Sequence, residues 1–342
     1  MQIIIQAENA GRRLDKYLFS FLNNAPHSYV YKMLRKKRIK LNANRALGSE
    51  MLNEGDVLRF YLSDETIRNF RKNVFVQSAK PMPGIVYEDE NLLIVNKPAG
   101  LASQGGMEGK NDHLLARLLF YLKEKGDYPP DADFTPGIVN RLDINTSGLV
   151  VCGKNLRTLQ EFNSMFKERR IKKEYLTVVE GLAGRVGESK VLRGFYVKDK
   201  KTRMAKILPS SEVICHSKTR FVSLEEHKGN VIGRVSPAPA ESVYKKQEII
   251  TKYTVLATNS SHSYLLAEPI TGRFHQIRAH LAFIGHPMAG DKKYGGKPTK
   301  YARNQLLHCH RLITDYKGGM VWEAILPEYF TDCIQSWFRR KK

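Results

Sequence analysis

Apolar residues recur at helical spacing twice near the start of the chain. In GRRLDKYLFSFL they are Leu14, Tyr17, Leu18, Phe21 and Leu22; in SYVYKMLRKKRIKLN they are Val30, Met33 and Leu34. Each set makes one apolar face, so two short amphipathic helices are predicted, the second with Ser28 as its N-cap. Its other side carries Lys32, Arg35, Lys36, Lys37, Arg38 and Lys40. Through IKLNANRALGSEMLNEGDVLRFYL the pattern changes to short strands joined by turns, the sharpest at NEGD. Periodicity then fades from Ser63 to Pro83, ending in KPMPG, which reads as a linker over 66–82 after a first domain at 1–65.

Beyond the linker, IVYEDENLLIVNKPAG predicts two strands around an acidic turn, and DHLLARLLFYLKEKG a helix stopped by Gly126. A further helix is expected from Leu156, Leu159, Phe162 and Phe166, and a strand at EYLTVVEG. Residues 183–250 carry no motif and are expected to be strands and loops. EIITKYTVLAT restores alternation, and GRFHQIRAHLAFIG predicts a helix with Ile277, Leu281 and Ile284 inward, Gly285 at its end, and Gln276, Arg278 and His280 on its other faces. Strands and helices do not alternate regularly. The expected fold class is therefore α+β, with a mixed, mainly antiparallel sheet at 83–330, and a basic tail at 331–342.

Charge changes this picture. Among 342 residues, 56 Lys and Arg against 34 Asp and Glu leave a net +22, and its clustering on one predicted helix makes phosphate-rich nucleic acid the expected partner. No apolar run is long enough to span a bilayer and no secretory leader is seen, so no membrane is implied. Cys152, Cys215, Cys309 and Cys333 are far apart, without metal-ligand pairs or a disulfide framework, which fits a reducing cytoplasm. The HCH run at His308–His310 lacks a second ligand pair, and GGMEGKND lacks the spacing and hydroxyl of a phosphate loop.

The candidate chemistry lies in NRLDINTSGLVV. Asp143 precedes residues that turn the chain into an apolar strand, so its carboxylate can be held rigid and partly buried. A buried carboxylate needs a cation to remain ionised. Arg141 is one candidate partner; Arg278 is favoured, because it sits on a stiff helix whose apolar face is committed to the core. Alone, the Arg-Leu-Asp triplet reads better as a structural ion pair at a strand end, and Tyr175 as strand packing. A second catalytic carboxylate of the kind a glycoside hydrolase uses is not seen in these segments. His275 and His280 are five apart and on different helical faces, so they do not form a metal pair.

Two resemblances bring these segments together. RRLDKYL, KMLRKKRIKLN and LNEGDVL resemble the alpha-L RNA-binding motif over about 12–61, with Arg38 where members often have Gly. The resemblance implies RNA contacts from Arg12, Arg13, Lys32, Arg35, Lys36, Lys37, Arg38 and Lys40. VYEDENLLIVNKPAGL, GIVNRLDINTSGLVV, KKEYLTVVEG and TGRFHQIRAHLAFIGHPMAGDKKYG, in that order, resemble the RluA-type pseudouridine synthases of ribosomal RNA over about 85–295. Members commonly have His at the position of Asn140 and Thr at that of Phe274.

That resemblance implies isomerisation of uridine to pseudouridine in large-subunit ribosomal RNA or its precursor, with no metal, organic cofactor or obligate protein partner. Asp143 would be the nucleophile, Tyr175 would stack on the uracil, and Arg278 would pair with Asp143. Arg141 would fill the gap left by the extruded nucleotide. Lys97 in NKPAG, His275 and Gln276 are expected substrate contacts. The alternatives are a non-catalytic RNA-binding or ribosome-assembly protein with a synthase-like fold, and a synthase acting on tRNA.

Overall fold

The computed structural model describes residues 1–71, 80–105, 112–128, 134–198, 204–208, 220–227, 230–237 and 247–338. Two compact units divide the chain. The first holds Met1–Lys97, Leu101–Leu142 and Val150–Lys167; the second holds Pro98–Gly100, Asp143–Leu149 and Glu168–Lys342.

The first unit opens with β1 (Gln2–Ile4), α1 (Leu14–Phe21), α2 (His27–Arg35), β2 (Ile39–Leu41), β3 (Asn44–Arg45), β4 (Val57–Phe60) and α3 (Asp64–Phe70). The strands form an antiparallel sheet in the order β1-β4-β2-β3. Leu14, Tyr17, Leu18, Phe21, Val30, Met33 and Leu34 are buried with Ile39, Leu58 and Phe60, as the apolar faces predict. Three local expectations are corrected. Ser28 does not cap α2: Pro26 stands at the N-cap, without a side-chain hydrogen bond.

The cationic block is not a helical ridge either, because α2 ends at Arg35. Lys37 adopts a left-handed conformation (φ 56°), its N–H bonding Leu34 O at 3.0 Å while Arg38 N–H bonds Met33 O at 2.9 Å. This pair of bonds satisfies the last carbonyls of the helix. Finally, the expected linker begins with α3, capped by the Ser63 hydroxyl on Thr66 N–H at 3.2 Å and anchored by buried Ile67. Residues 72–79 lie outside the described residues.

The unit continues with β5 (Ile85–Glu88), β6 (Leu92–Lys97), α4 (Leu114–Lys125), β7 (Gly137–Ile138), β8 (Ser147–Gly153) and α5 (Leu156–Lys167). β5 and β6 form the expected hairpin, with Asp89 accepting from the N–H groups of Asn91 and Leu92. Gly126 ends α4 in the left-handed region (φ 85°), where a side chain would be strained. On α5 the buried residues are Thr158, Phe162 and Met165, and the expected Leu156, Leu159 and Phe166 are half-buried beside them.

The second unit is built on long strands: β9 (Ile171–Glu180), β10 (Ser189–Lys198), β11 (Ala205–Leu208), β14 (Gln247–Thr258), β15 (His262–Pro269), β16 (Leu307–Thr314) and β17 (Met320–Glu323). Between them, β12 (Arg220–His227) and β13 (Asn230–Pro237) form a separate hairpin. The order is β11-β10-β14-β15-β9-β16, every neighbour antiparallel, with β17 also on β16. Only the start of β8, Ser147 and Gly148, pairs with β16 in parallel. The sheet is therefore mixed and mainly antiparallel, and the fold is α+β.

Strand β9 is buried on both faces. Tyr175 and Val179 pack with Ile277 and Leu281 of α6 (Gln276–Phe283), whereas Leu176 and Val178 pack with Phe330 and Cys333 of α7 (Glu328–Phe338). The expected basic tail is thus a packed helix as far as Phe338, its Trp337 stacking on His262 at 4.1 Å. Among the described residues no helix is long and apolar enough to cross a membrane, and none of their His, Cys, Asp and Glu groups could hold a metal.

One buried charge cluster in the first unit ties β5 to α4 and to the end of β8. Glu88 accepts from Tyr121 at 2.7 Å, Lys125 at 2.7 Å and Lys154 at 2.6 Å. Burial opposes its charge, yet these donors outweigh burial and bring the carboxyl from 4.5 down to about 2. A depressed carboxylate stabilises the fold above its unfolded pKa and loses that contribution as pH falls. Stability is expected to drop by on the order of 3 kcal/mol between pH 4.5 and 2 from this group. Urea unfolding across that window should show a shallower pH dependence in Glu88→Gln.

Candidate active site

Asp143 is the first residue of its segment in the second unit, and its neighbours on both sides are fixed. In the first unit, the Ser103 hydroxyl donates to Leu142 O at 2.9 Å and accepts from Leu142 N–H at 3.1 Å. Asn140, in the position where His is common, accepts from Val151 N–H at 2.8 Å. In the second unit, Thr146 N–H closes a turn on Asp143 O at 3.0 Å, Gly100 N–H bonds Ile144 O at 2.8 Å, and Ser147 meets His308 at 2.9 Å. Gly148 then enters the strand at φ 113°, and a Cβ there would collide with the backbone of Cys309. Only glycine lets the turn after Asp143 lie this close to β16.

Arg278 projects from α6 into this turn. Its Nη1 donates to Asp143 Oδ2 at 2.8 Å, while Nε and Nη2 make two 2.7 Å bonds to the carboxylate of Asp291. The Arg278 side chain is 7% exposed and that of Asp291 1%. Burial alone would disfavour the guanidinium charge, but Asp291 first and Asp143 second outweigh it and raise its pKa. The two-bond fork fixes the plane of the guanidinium and hence the direction from which Asp143 is held.

His275 supplies a second approach to the same oxygen, with Nε2 at 3.4 Å from Asp143 Oδ2. It precedes α6 in a left-handed conformation (φ 56°), and Phe274, in the place where Thr is usual, stacks on its ring at 3.7 Å between centroids. On the other side, His275 Nδ1 lies 3.0 Å from the hydroxyl of Tyr294, which also accepts Ala205 N–H at 2.9 Å. Burial pushes the Tyr294 phenol up to about 12. Among the described residues no donor reaches Asp143 Oδ1, although the side chain is 21% exposed.

Tyr175, half-buried on β9, lies opposite Cys309 of β16. Burial raises its phenol well above the ordinary value; the neighbouring Cys309 and, more weakly, the Asp143 charge push in the same direction. Asp143, Arg278, His275 and Tyr175 are thus brought together within the second unit.

Other expectations are corrected. Lys97 is not an exposed turn lysine: it ends β6, fully buried, and donates to Leu101 O at 2.8 Å. Gln276 is buried, with its amide bonded to Thr271, Thr251, Arg273 N–H and Ile250 O, so it braces β14 against α6 and has no open group for RNA. His280 is not a surface group: it is buried against Thr251, and burial lowers its ring to about 4. His308 is likewise buried and lowered to about 4, as suits its bond to Ser147.

Arg141 is exposed and belongs to the first unit. Also in that unit, Lys32, Arg35, Lys36, Lys37 and Arg38 are exposed, and Lys40 is half-buried with its ammonium 5.4 Å from the Tyr61 ring. Arg12 bonds Asn9 and Ser20, and Arg13 is forked onto Asp15, which leaves both guanidiniums engaged within the module.

Asp291 and Tyr294 are site residues that the sequence does not announce. Their segment, GDKKYGG, reads as a charged surface turn because Lys292 and Lys293 stand between them. The available signal is the glycine pattern. Gly290 (φ 82°) and Gly296 both lie so close to neighbouring backbone that a Cβ would overlap it, which marks a tightly packed loop.

The pattern of the RNA pseudouridylate synthase family matches residues 91–283, spanning the Asp143 turn, β9 and α6. The chain belongs to the RNA pseudouridylate synthase family. Among relatives of this synthase, one from Rickettsia felis called ribosomal large subunit pseudouridine synthase C is 31% identical, over 94% of this chain and 95% of its own. Another of the same name, from Haemophilus influenzae, is 29% identical over 89% of this chain and 82% of its own. The structure of human RNA pseudouridylate synthase domain containing 4 has the same fold, with a TM-score of 0.54 at 22% identity, covering 74% of this synthase and 92% of that chain.

Replacing Asp291 by Ala leaves the buried guanidinium of Arg278 with one carboxylate instead of two. The synthase is expected to lose about 3 kcal/mol of unfolding free energy, measured in urea at neutral pH.

Proposed function

We propose that this protein isomerises uridine to pseudouridine in large-subunit ribosomal RNA, with Asp143 as the nucleophile. The observation that carries the reading is the Asp143 carboxylate itself: Oδ2 is held by Arg278 at 2.8 Å, and Oδ1 has no donor among the described residues. One oxygen is anchored and the other is available to attack. The family supports the reaction, and the relatives named for the ribosomal large subunit support the substrate.

Asp143 Oδ1 attacks the target nucleotide at the ribose carbon or the base ring. The N-glycosidic bond breaks, the uracil turns in the pocket, and a carbon-carbon bond forms through C5 as the bond to Asp143 is released; the C5 proton is finally lost and N1 takes up a proton, which regenerates the carboxylate. Atoms balance without oxidant or cofactor. Arg278 orients the carboxylate through its 2.8 Å bond to Oδ2, while Tyr175 stacks on the uracil near C5. Arg141 fills the space the nucleotide leaves on extrusion from its stack.

The N-terminal module binds RNA, and the remaining segments carry the chemistry. Its support is a core of its own, closed by α1, α2 and α3, with the cations of 32–40 exposed outside it. This extends the expected first domain from residue 65 to the end of α3 at Phe70. A ribosomal RNA substrate supports the cytoplasm as its place of work.

Two measurements test the division. Ribosomal RNA carrying C5-tritiated uridine, taken from cells lacking the protein, should release tritium with the native enzyme and not with Asp143→Asn. Absence of release from both would refute the proposed reaction on this RNA. Reversing the charges in RKKRIK should weaken RNA binding and flatten its salt dependence, by roughly 0.7 to 0.9 in log-log slope for each phosphate no longer neutralised. Single-turnover rates at saturating enzyme should stay near native, and a sharp fall in them would count against a pure binding role.

A further inference from the structure

We infer that His275 is a positioning residue, fixed by Tyr294 in the tautomer that carries its proton on Nε2, and that it turns Asp143 so that Oδ1 is the attacking oxygen. The inference deepens the proposed reaction and rests on it for the identity of the nucleophile.

The protons decide the tautomer. Ala205 N–H is a backbone amide and can only donate, so the Tyr294 oxygen accepts it at 2.9 Å. The phenol, with its pKa pushed up to about 12, still has its own proton to place, and His275 Nδ1 lies 3.0 Å away. A nitrogen that accepts a proton from Tyr294 is itself bare, so the proton of the neutral ring sits on Nε2. That nitrogen faces Asp143 Oδ2 at 3.4 Å, where an N–H is attracted and a lone pair would be repelled. Both ends of the ring therefore select the same tautomer. The 3.4 Å separation is long, as such contacts often are before substrate tightens the site.

The backbone bears the same mark. A left-handed conformation is uncommon outside glycine, histidine being among the residues that take it more readily, and His275 holds φ 56° at the start of α6. From this position the ring spans Tyr294 and Asp143, and Phe274 stacks on it at 3.7 Å. With Arg278 Nη1 also on Oδ2, both contacts converge on one oxygen of the carboxylate.

These hydrogen bonds also give a role to the stretch without motifs. Ala205 begins β11, which pairs with β10 through Lys198 and Ala205. Its amide orients the Tyr294 hydroxyl, so this strand acts on the nucleophile through two side chains that do not react.

The test uses full-length protein labelled with 15N-histidine, the His275 signals being assigned by their loss in His275→Asn. Native protein should show His275 protonated on Nε2 and bare on Nδ1, and Tyr294→Phe should give a mixture of tautomers. Tyr294→Phe and His275→Asn, the second chosen because Asn tolerates the left-handed backbone, should each slow single-turnover tritium release by roughly 10-fold. RNA affinity should stay near native while the Nε2 tautomer is lost, which a merely structural role would not predict. A proton on Nδ1 in the native protein, or release at the native rate from Tyr294→Phe, would overturn the inference. No release from native protein with the Nε2 proton in place would instead overturn the reaction and leave the tautomer standing.

Discussion

The guanidinium of Arg278 is the point on which the site turns. It is buried, it sits on a helix packed against a sheet buried on both faces, and it divides its donors unequally between two carboxylates. Asp291 takes the two parallel bonds and fixes the plane; Asp143 takes the single remaining one and stays partly exposed. A lone buried Arg–Asp pair would gain little over apolar packing. Sharing the cation between a buried and a half-open carboxylate holds the second one in place without hiding it.

Backbone detail decides whether that geometry can exist. Asp143 leads into a strand whose second residue is Gly148, pressed against Cys309 with no room for a side chain. Ser103 grips both backbone groups of Leu142, and Asn140, where His is usual, accepts from the Val151 amide. The other departure, Phe274, puts a ring against His275 where a small hydroxyl residue is usual. Neither departure removes a group that touches the Asp143 carboxylate.

Much of this is legible in the chain. The helices α1, α2 and α4 have one apolar face, α4 has a clear stop at Gly126, and β5, β6, β9 and β14 show their strand patterns. The pairing of Asp143 with Arg278 follows from the need of a buried carboxylate for a cation on a rigid element. Other features leave little trace in the pattern. The segment α3 turns only Ile67 and Phe70 inward, too few for a periodic signal, and α6 is buried nearly all round, so Gln276 and His280 read as outward groups when they are braces. Lys97 misleads because a lysine beside a Pro-Ala-Gly turn is usually exposed, whereas here it terminates an interior strand. Asp291 and Tyr294 are hidden by the two lysines between them.

The cysteines carry a consequence of their own. Cys152, Cys309 and Cys333 are all buried and unpaired, and burial pushes Cys309 and Cys333 up to about 12 and Cys152 further still. Oxidants and alkylating agents attack thiolates, and these three sulfurs remain thiols at any pH the fold would meet in a cell. Cys309 stands directly beside Tyr175, yet it offers no reactive handle. Peroxide stress that disables thiol enzymes should therefore leave this pocket chemically silent.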